Sequence, residues 1–292
     1  MANKQTSRRR FLKTSTALGL TVGVINTALG QSIRTEENMA NDTPKEQAPI
    51  ASDHSGHIVS LHAGYETNGV YTNAFLARPA EGTGLPGVVL LSGMGGLTWT
   101  QREITRRYAR AGFVALSPDF MGGEMPSSRS GRLLAKNSLD INDATRRIIG
   151  GAAFLKSLPC VGQDSKVGIM GFCLGGGLAL LAPARSDAFA AAVIYHQSLF
   201  PDERELKNIH VKVMCHYGTK DESTPAEEVA AFTKALDRMD KTYECLWYEG
   251  MHHSFAQVTP DTDIPAAQKA ASDLSYERSF KFLHAELAKK GN

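Results

Sequence analysis

Val167-Gly168-Ile169-Met170 runs directly into Gly171-Phe172-Cys173-Leu174-Gly175-Gly176-Gly177, and the fold is read from this junction. An apolar run without alternation marks a strand buried on both faces, as in a parallel sheet. Glycines two before and two after Cys173 mark a sharp strand-to-helix turn with the cysteine at its apex, where backbone and sheet must approach closely. A side chain held there is pushed out at the carboxyl end of the strand. The helix that begins at Leu174 adds positive potential at its N-terminus, which lowers a thiol pKa. The Leu174 amide, free in the first helical turn, is a candidate donor to a developing oxyanion.

Outward from this junction the chain alternates. Residues 58–61 and 70–76 read as strands joined by an Asn68-Gly69 turn, a short antiparallel start. Val88-Val89-Leu90-Leu91 is a second fully buried strand, ending in the glycine-rich Ser92-Gly93-Met94-Gly95-Gly96. Helices are predicted over residues 100–111, 140–158, 174–182, 225–239 and, long or broken, 266–289; further strands over 113–116, 190–195, 211–217 and 243–248. Residues 122–137 read as a loop. Strands alternating with helices predict an α/β fold, a mostly parallel central sheet with helices on both faces. Ligands on such sheets bind at the carboxyl ends of the strands.

The 292 residues are 42% hydrophobic and 21% charged with 27 Gly, 12 Pro and 4 Cys, which suits a globular core and excludes a collagen-like, disordered or disulfide-built chain. Lys4, Arg8, Arg9, Arg10 and Lys13 and no acidic residue lie in the first 30 positions, so a formal charge of +2 becomes −3 without them. No nucleic-acid footprint survives. Ser7-Arg8-Arg9-Arg10-Phe11-Leu12-Lys13 before an apolar stretch over residues 17–29 resembles a twin-arginine export signal. That resemblance implies use of the twin-arginine export machinery and a periplasmic location, with cleavage near residues 28–30. The stretch is too short and too rich in Thr, Gly and Asn for a transmembrane helix, so no stable membrane insertion is expected. The predicted organisation is a signal over 1–30, a polar linker over 31–57, and the α/β domain over 58–292.

A cysteine or serine nucleophile needs a histidine to move its proton and a carboxylate to orient that histidine. After the 211–217 strand comes Gly218-Thr219-Lys220-Asp221-Glu222, which makes Asp221 the leading acid and Glu222 the runner-up. The next strand ends in Gly250-Met251-His252-His253-Ser254-Phe255; His253 is the preferred base and His252 the alternative. No Cys or carboxylate stands at convincing ligand spacing around the His-His pair, so neither metal nor other cofactor is expected. Cys160, Cys215 and Cys245 lack a comparable turn and read as small core residues.

Gly-Phe-Cys-Leu-Gly-Gly at Cys173, Tyr-Gly-Thr-Lys-Asp at Asp221 and His-Ser-Phe-Ala at His253 together resemble the dienelactone hydrolase family of the α/β-hydrolase superfamily, over about residues 58–287. The resemblance implies a hydrolase of the carboxymethylenebutenolidase kind, cleaving a small-molecule lactone or ester. In it Cys173 is the nucleophile, His253 general base and acid, Asp221 the orienter, and the Met94 and Leu174 amides the oxyanion hole, with a thioester acyl-enzyme between the two half-reactions. Two positions depart from the family pattern. Gly93 stands where a glutamate beside the thiol is expected, and Gln257 where an arginine would hold a substrate carboxylate. Arg129 and Arg132 are the alternative cations, though solvated loop charges are their plainer reading. Rival readings are a broad periplasmic carboxylesterase or thioesterase acting on neutral esters, and a catalytically silent ligand-binding protein.

Overall fold

The computed structural model describes residues 51–52, 57–123, 126–162 and 166–289. The expected signal and most of the expected linker lie outside the described residues. The elements are β1 (Ala51–Ser52), β2 (Ile58–Thr67), β3 (Val70–Pro79), β4 (Gly87–Leu91), α1 (Trp99–Arg110), β5 (Val114–Pro118), α2 (Arg129–Asn137), α3 (Ile141–Ser157), β6 (Val167–Phe172), α4 (Leu174–Arg185), β7 (Phe189–Tyr195), α5 (Glu203–Asn208), β8 (Lys212–Gly218), α6 (Ala226–Arg238), β9 (Tyr243–Tyr248) and α7 (Ala266–Leu287).

These strands form one sheet in the order β1-β2-β3-β5-β4-β6-β7-β8-β9. The β1-β2, β2-β3 and β3-β5 pairs are antiparallel, and the rest run parallel. Asn68 (φ 51°) and Gly69 (φ 79°) close the β2-β3 hairpin with both central residues at positive φ, the geometry that matches strand twist. Along β4 the buried side chains divide between two cores. Val88 and Leu90 meet Ile104 and Tyr108 of α1 and Tyr276 and Leu283 of α7. Val89 and Leu91 face the side covered by Ile148 of α3 and Leu178 of α4. The sheet is therefore covered on both faces, and the α/β-hydrolase architecture expected from the sequence is the one present. Among the described residues no helix is long and apolar enough to cross a membrane.

This topology positions the site. From β4 the chain goes through α1 to β5 on one side, while β6 lies on β4's other side and leads into α4. Because α1 and α4 pack on opposite faces, the loops after β4 and β6 diverge and leave a crevice at the carboxyl ends of the strands. The β6-to-α4 turn is tight enough to demand its glycines. A Cβ on Gly171 would sit 2.1 Å from the Gly175 carbonyl oxygen, and one on Gly175 would sit 2.3 Å from the Ser92 carbonyl oxygen.

Three elements differ from the sequence reading. Residues 129–137, read as loop, form the helix α2, nine residues that bury no side chain and leave Leu133 and Leu134 exposed. The short α5 is held by its Asp202 cap, whose side chain accepts from the Glu205 amide, rather than by apolar periodicity. The two-residue β1 extends the sheet into the stretch read as linker, pairing with Val59 and Ser60 of β2.

The close approach of the two loops yields a direct check. Gly175→Ala is expected to overpack the turn against the β4 loop at a cost of about 2 kcal/mol, lowering Tm by roughly 4–8 °C in thermal unfolding followed by circular dichroism. An unchanged Tm would contradict the contact.

Candidate active site

Cys173 follows the last residue of β6 and takes φ 52°, ψ −114°, a conformation that non-glycine residues rarely adopt. Four backbone bonds hold it there: its N–H donates to the Tyr195 carbonyl (3.0 Å), and its carbonyl accepts from the amides of Gly176 (3.1 Å), Ser198 (3.0 Å) and Gly177 (3.4 Å). It stands at the N-cap of α4, where no side chain caps the helix. The Leu174 amide instead hydrogen-bonds the sulfur. Cys173 Sγ lies 3.3 Å from Ser198 Oγ and hydrogen-bonds His253.

Asp221 sits in the loop after β8. Its Oδ1 accepts from the amides of Ser223 (2.8 Å) and Thr224 (3.0 Å), which fixes the carboxylate before any histidine is considered. His253, in the loop after β9, places Nδ1 at 2.8 Å from Asp221 Oδ2 and 3.0 Å from Oδ1. With Nδ1 donating to the carboxylate, Nε2 is the ring nitrogen left for the thiol. The three residues singled out in the sequence thus converge, each from the carboxyl end of a different strand. The two runners-up do not. Glu222 and His252 are exposed and take no part in this hydrogen-bonded group.

The electrostatics favour charge separation. Burial pushes the Cys173 thiol up, but hydrogen bonds from His253 and Ser198, the His253 charge and the Leu174 amide outweigh it and hold the thiol below its ordinary value. Burial likewise pushes His253 down, yet hydrogen bonds to Asp221 and Cys173 raise it to about 9. For Asp221, burial is overcome by the bond from His253, and the carboxyl stays below its usual value. The thiol is thus held down while the imidazole is held up, the direction of shift that favours a thiolate beside an imidazolium beside a carboxylate.

Other residues of the site carried no signal that the sequence reading used. His196-Gln197-Ser198 follow β7, and a search of every parallel-strand end would have reached them. His196 is buried with φ 38°, its ring centroid lies 4.2 Å from that of His253, and neither ring nitrogen has a hydrogen-bond partner. Burial and the neighbouring His253 charge drive it down to about 3, so it presents a neutral ring to His253. His196, Asp221 and His253 each offer an atom within 4.8 Å of the others, the spacing of a possible metal group that the sequence reading did not find. Asp221 in that group is already committed to His253 and to two amides. Thr224 Oγ1 donates to the His196 and Gln197 carbonyls (3.3 Å each), tying the β7 loop to the Asp221 loop.

A cavity of about 220 Å³ opens onto the thiol, with Met94, Arg132, His253 and Gln257 among its walls. A larger cleft of about 390 Å³ between α1 and α7 contains none of these chemical groups. A Cβ on Gly93 would lie 3.4 Å from the Cys173 Cβ, so the position expected to carry a glutamate does adjoin the thiol and here offers no carboxylate. The reading of Arg129 and Arg132 as solvated loop charges is corrected for one of them. Both lie on α2; Arg129 is exposed, whereas Arg132 lines the cavity and donates to the Ser127 carbonyl (3.0 Å).

Residues 72–287 match the dienelactone hydrolase family, and the chain belongs to it. It is 29% identical over 218 residues, covering 70% of this chain and 87% of the other, to a Bradyrhizobium protein named "Probable 2-oxo-3-(5-oxofuran-2-ylidene)propanoate lactonase". Carboxymethylenebutenolidase 1 of Cupriavidus pinatubonensis is 26% identical, with 72% of this chain and 90% of that one covered. The solved structure of a dienelactone hydrolase-like promiscuous phosphotriesterase from metagenomic libraries superposes with TM-score 0.68 at 22% identity, covering 80% of this chain and all of that one. The protein is a lactone or ester hydrolase of this family.

The proton inventory is open to direct measurement. His253 is expected to titrate near pH 9 by NMR of its ring protons, and Asp221→Asn to move that midpoint down because the bond that raises it is weakened. A wild-type midpoint near 6.5 would contradict the pairing.

Proposed function

We propose that this protein hydrolyses a small lactone or carboxylic ester through a Cys173-His253-Asp221 triad and a thioester acyl-enzyme. The observation that carries the reading is the Cys173 sulfur at the apex of a strained turn, bonded to His253 and the Leu174 amide and donating to Ser198 Oγ at 3.3 Å. The thiolate attacks the carbonyl carbon and the carbonyl electrons move to oxygen, where the Leu174 and Met94 amides receive the oxyanion. Collapse re-forms the carbonyl and breaks the acyl carbon–oxygen bond. The His253 imidazolium gives its proton to the departing alkoxide, which in a lactone stays attached as the opened ring. His253, now neutral, takes a proton from water; the hydroxide adds to the thioester, and the thiolate leaves with the acid released. Each oxyanion donor in such a hole contributes about 3 kcal/mol. Asp221 keeps Nδ1 protonated throughout.

The substrate we favour is small and carries a carboxylate. Arg132 supports this by lining one wall of the 220 Å³ cavity as a cation that α2 brings to the thiol. Gln257 supports the neutral-ester alternative, since it supplies hydrogen bonds without charge. We further propose that the protein is exported, on the strength of the Arg8-Arg9-Arg10-Phe11-Leu12-Lys13 segment alone.

The test compares a neutral aryl ester with an anionic dienelactone. Cys173→Ala is expected to lower kcat on both by roughly 10⁴-fold or more. Arg132→Ala is expected to raise KM for the anionic lactone at least about tenfold and to leave the neutral ester unchanged. Equal effects of Arg132→Ala on the two substrates would sink the carboxylate assignment. Turnover that survives Cys173→Ala would sink the nucleophile.

A further inference from the structure

We propose that Lys136 and Ser198 form a positioning pair that aims a hydroxyl proton at the Cys173 sulfur; this rests on Cys173 being the nucleophile. Ser198 grips Cys173 twice: its amide donates to the Cys173 carbonyl at 3.0 Å, and its Oγ accepts from the Cys173 thiol at 3.3 Å, a bond whose direction reverses when the sulfur ionises. Lys136, in the last turn of α2, reaches across to Ser198 with Nζ 3.3 Å from Oγ and 3.4 Å from the carbonyl oxygen. An ammonium has three donors and no acceptor, so the Ser198 oxygen must accept from it. A hydroxyl has one proton. With one lone pair engaged by Lys136, the oxygen is a poorer acceptor for the thiol proton, and once the sulfur ionises the hydroxyl proton points at it, the orientation in which serine stabilises a thiolate.

The place of this pair in the site gives it a purpose. On the β4 side, position 93 is glycine and offers the sulfur neither charge nor hydrogen bond. The opposite side is where Ser198 stands, and it is one of the groups that hold the thiol below its ordinary value. The charged and titratable groups around the sulfur are His253 from the β9 loop, Asp221 behind it, His196 from the β7 loop, and Arg132 and Lys136 from α2. The β4 loop over residues 92–98 and the first turn of α4 contribute no ionisable side chain. Lys136 is distinguished within this set because it meets the nucleophile only through Ser198. It is a positioning residue.

That relay has a signature a structural role lacks. The rate of Cys173 carbamidomethylation by iodoacetamide is followed against pH in the full-length chain, with the modified peptide resolved by mass spectrometry from those of Cys160, Cys215 and Cys245. Ser198→Ala is expected to raise the midpoint by about one pH unit, the low end for a lost hydrogen bond to a charged group. Lys136→Met is expected to raise it by less, in the same direction, and to add nothing in the Ser198→Ala background, because its effect passes through that hydroxyl. Ser198→Thr and Lys136→Arg are expected to keep the wild-type midpoint. Lys136 lies on a helix with no buried residue, so its variants test the relay even where Ser198→Ala fails to fold. An unmoved midpoint in Lys136→Met, or the same shift with and without Ser198, overturns the pair. Alkylation needs no turnover, so this result stands apart from the hydrolase reading, which falls instead if Cys173→Ala still hydrolyses esters.

Discussion

The structure depends on one strained residue. Cys173 at φ 52°, ψ −114° costs on the order of 1–3 kcal/mol, and it persists because its neighbours allow no alternative. Tyr195 takes its amide, while Gly176 and Ser198 take its carbonyl. Gly171 and Gly175 permit contacts that any Cβ would block. Relaxing the turn would break these backbone bonds and withdraw the thiol from the strand ends. The parallel order β4-β6-β7 is what supplies partners on both sides of the turn.

From that fixed sulfur the remaining chemistry is assembled by consecutive strand ends. The β7 loop brings Ser198 and a neutral His196, the β8 loop Asp221, the β9 loop His253. Each is anchored independently: Asp221 by two amides, the β7 loop by Thr224, Ser198 by its own amide on Cys173. A charge-separated pair in a mostly buried site is stable only when every member is hydrogen-bonded. Here the Asp221 carboxylate, the His253 ring and the Cys173 sulfur form one unbroken series, and the ring at its centre is raised to about 9.

What was legible in the sequence is what the backbone encodes locally. The glycines around Cys173 mark a turn whatever the surroundings, and Asp221 and His253 each follow an apolar run long enough to read as a strand. Ser198 and His196 stand at the end of a strand the sequence does show, but Tyr195-His196-Gln197-Ser198 carries no motif to single them out, and their role arises from where β7 lies in the sheet. Helix α2 is hard to read for a different reason: nine residues give barely two turns, too few for a helical period to stand out, and its Ser128 cap is a short-range signal in a Ser- and Gly-rich stretch. With the helix missed, the one-turn spacing of Arg132 and Lys136 could not be read as two cations directed at one site. The substitutions at Gly93 and Gln257 were visible, but the groups on the other walls of the cavity only emerge from the fold.

The most direct test of the chemistry is to trap the acyl-enzyme. Wild-type protein mixed with an activated aryl ester, quenched in acid during the first turnover and mapped by peptide mass, should carry the acyl group on Cys173 as a thioester that hydroxylamine removes. An acyl group on any other residue, or a product burst with no covalent adduct, would contradict a cysteine nucleophile at this turn.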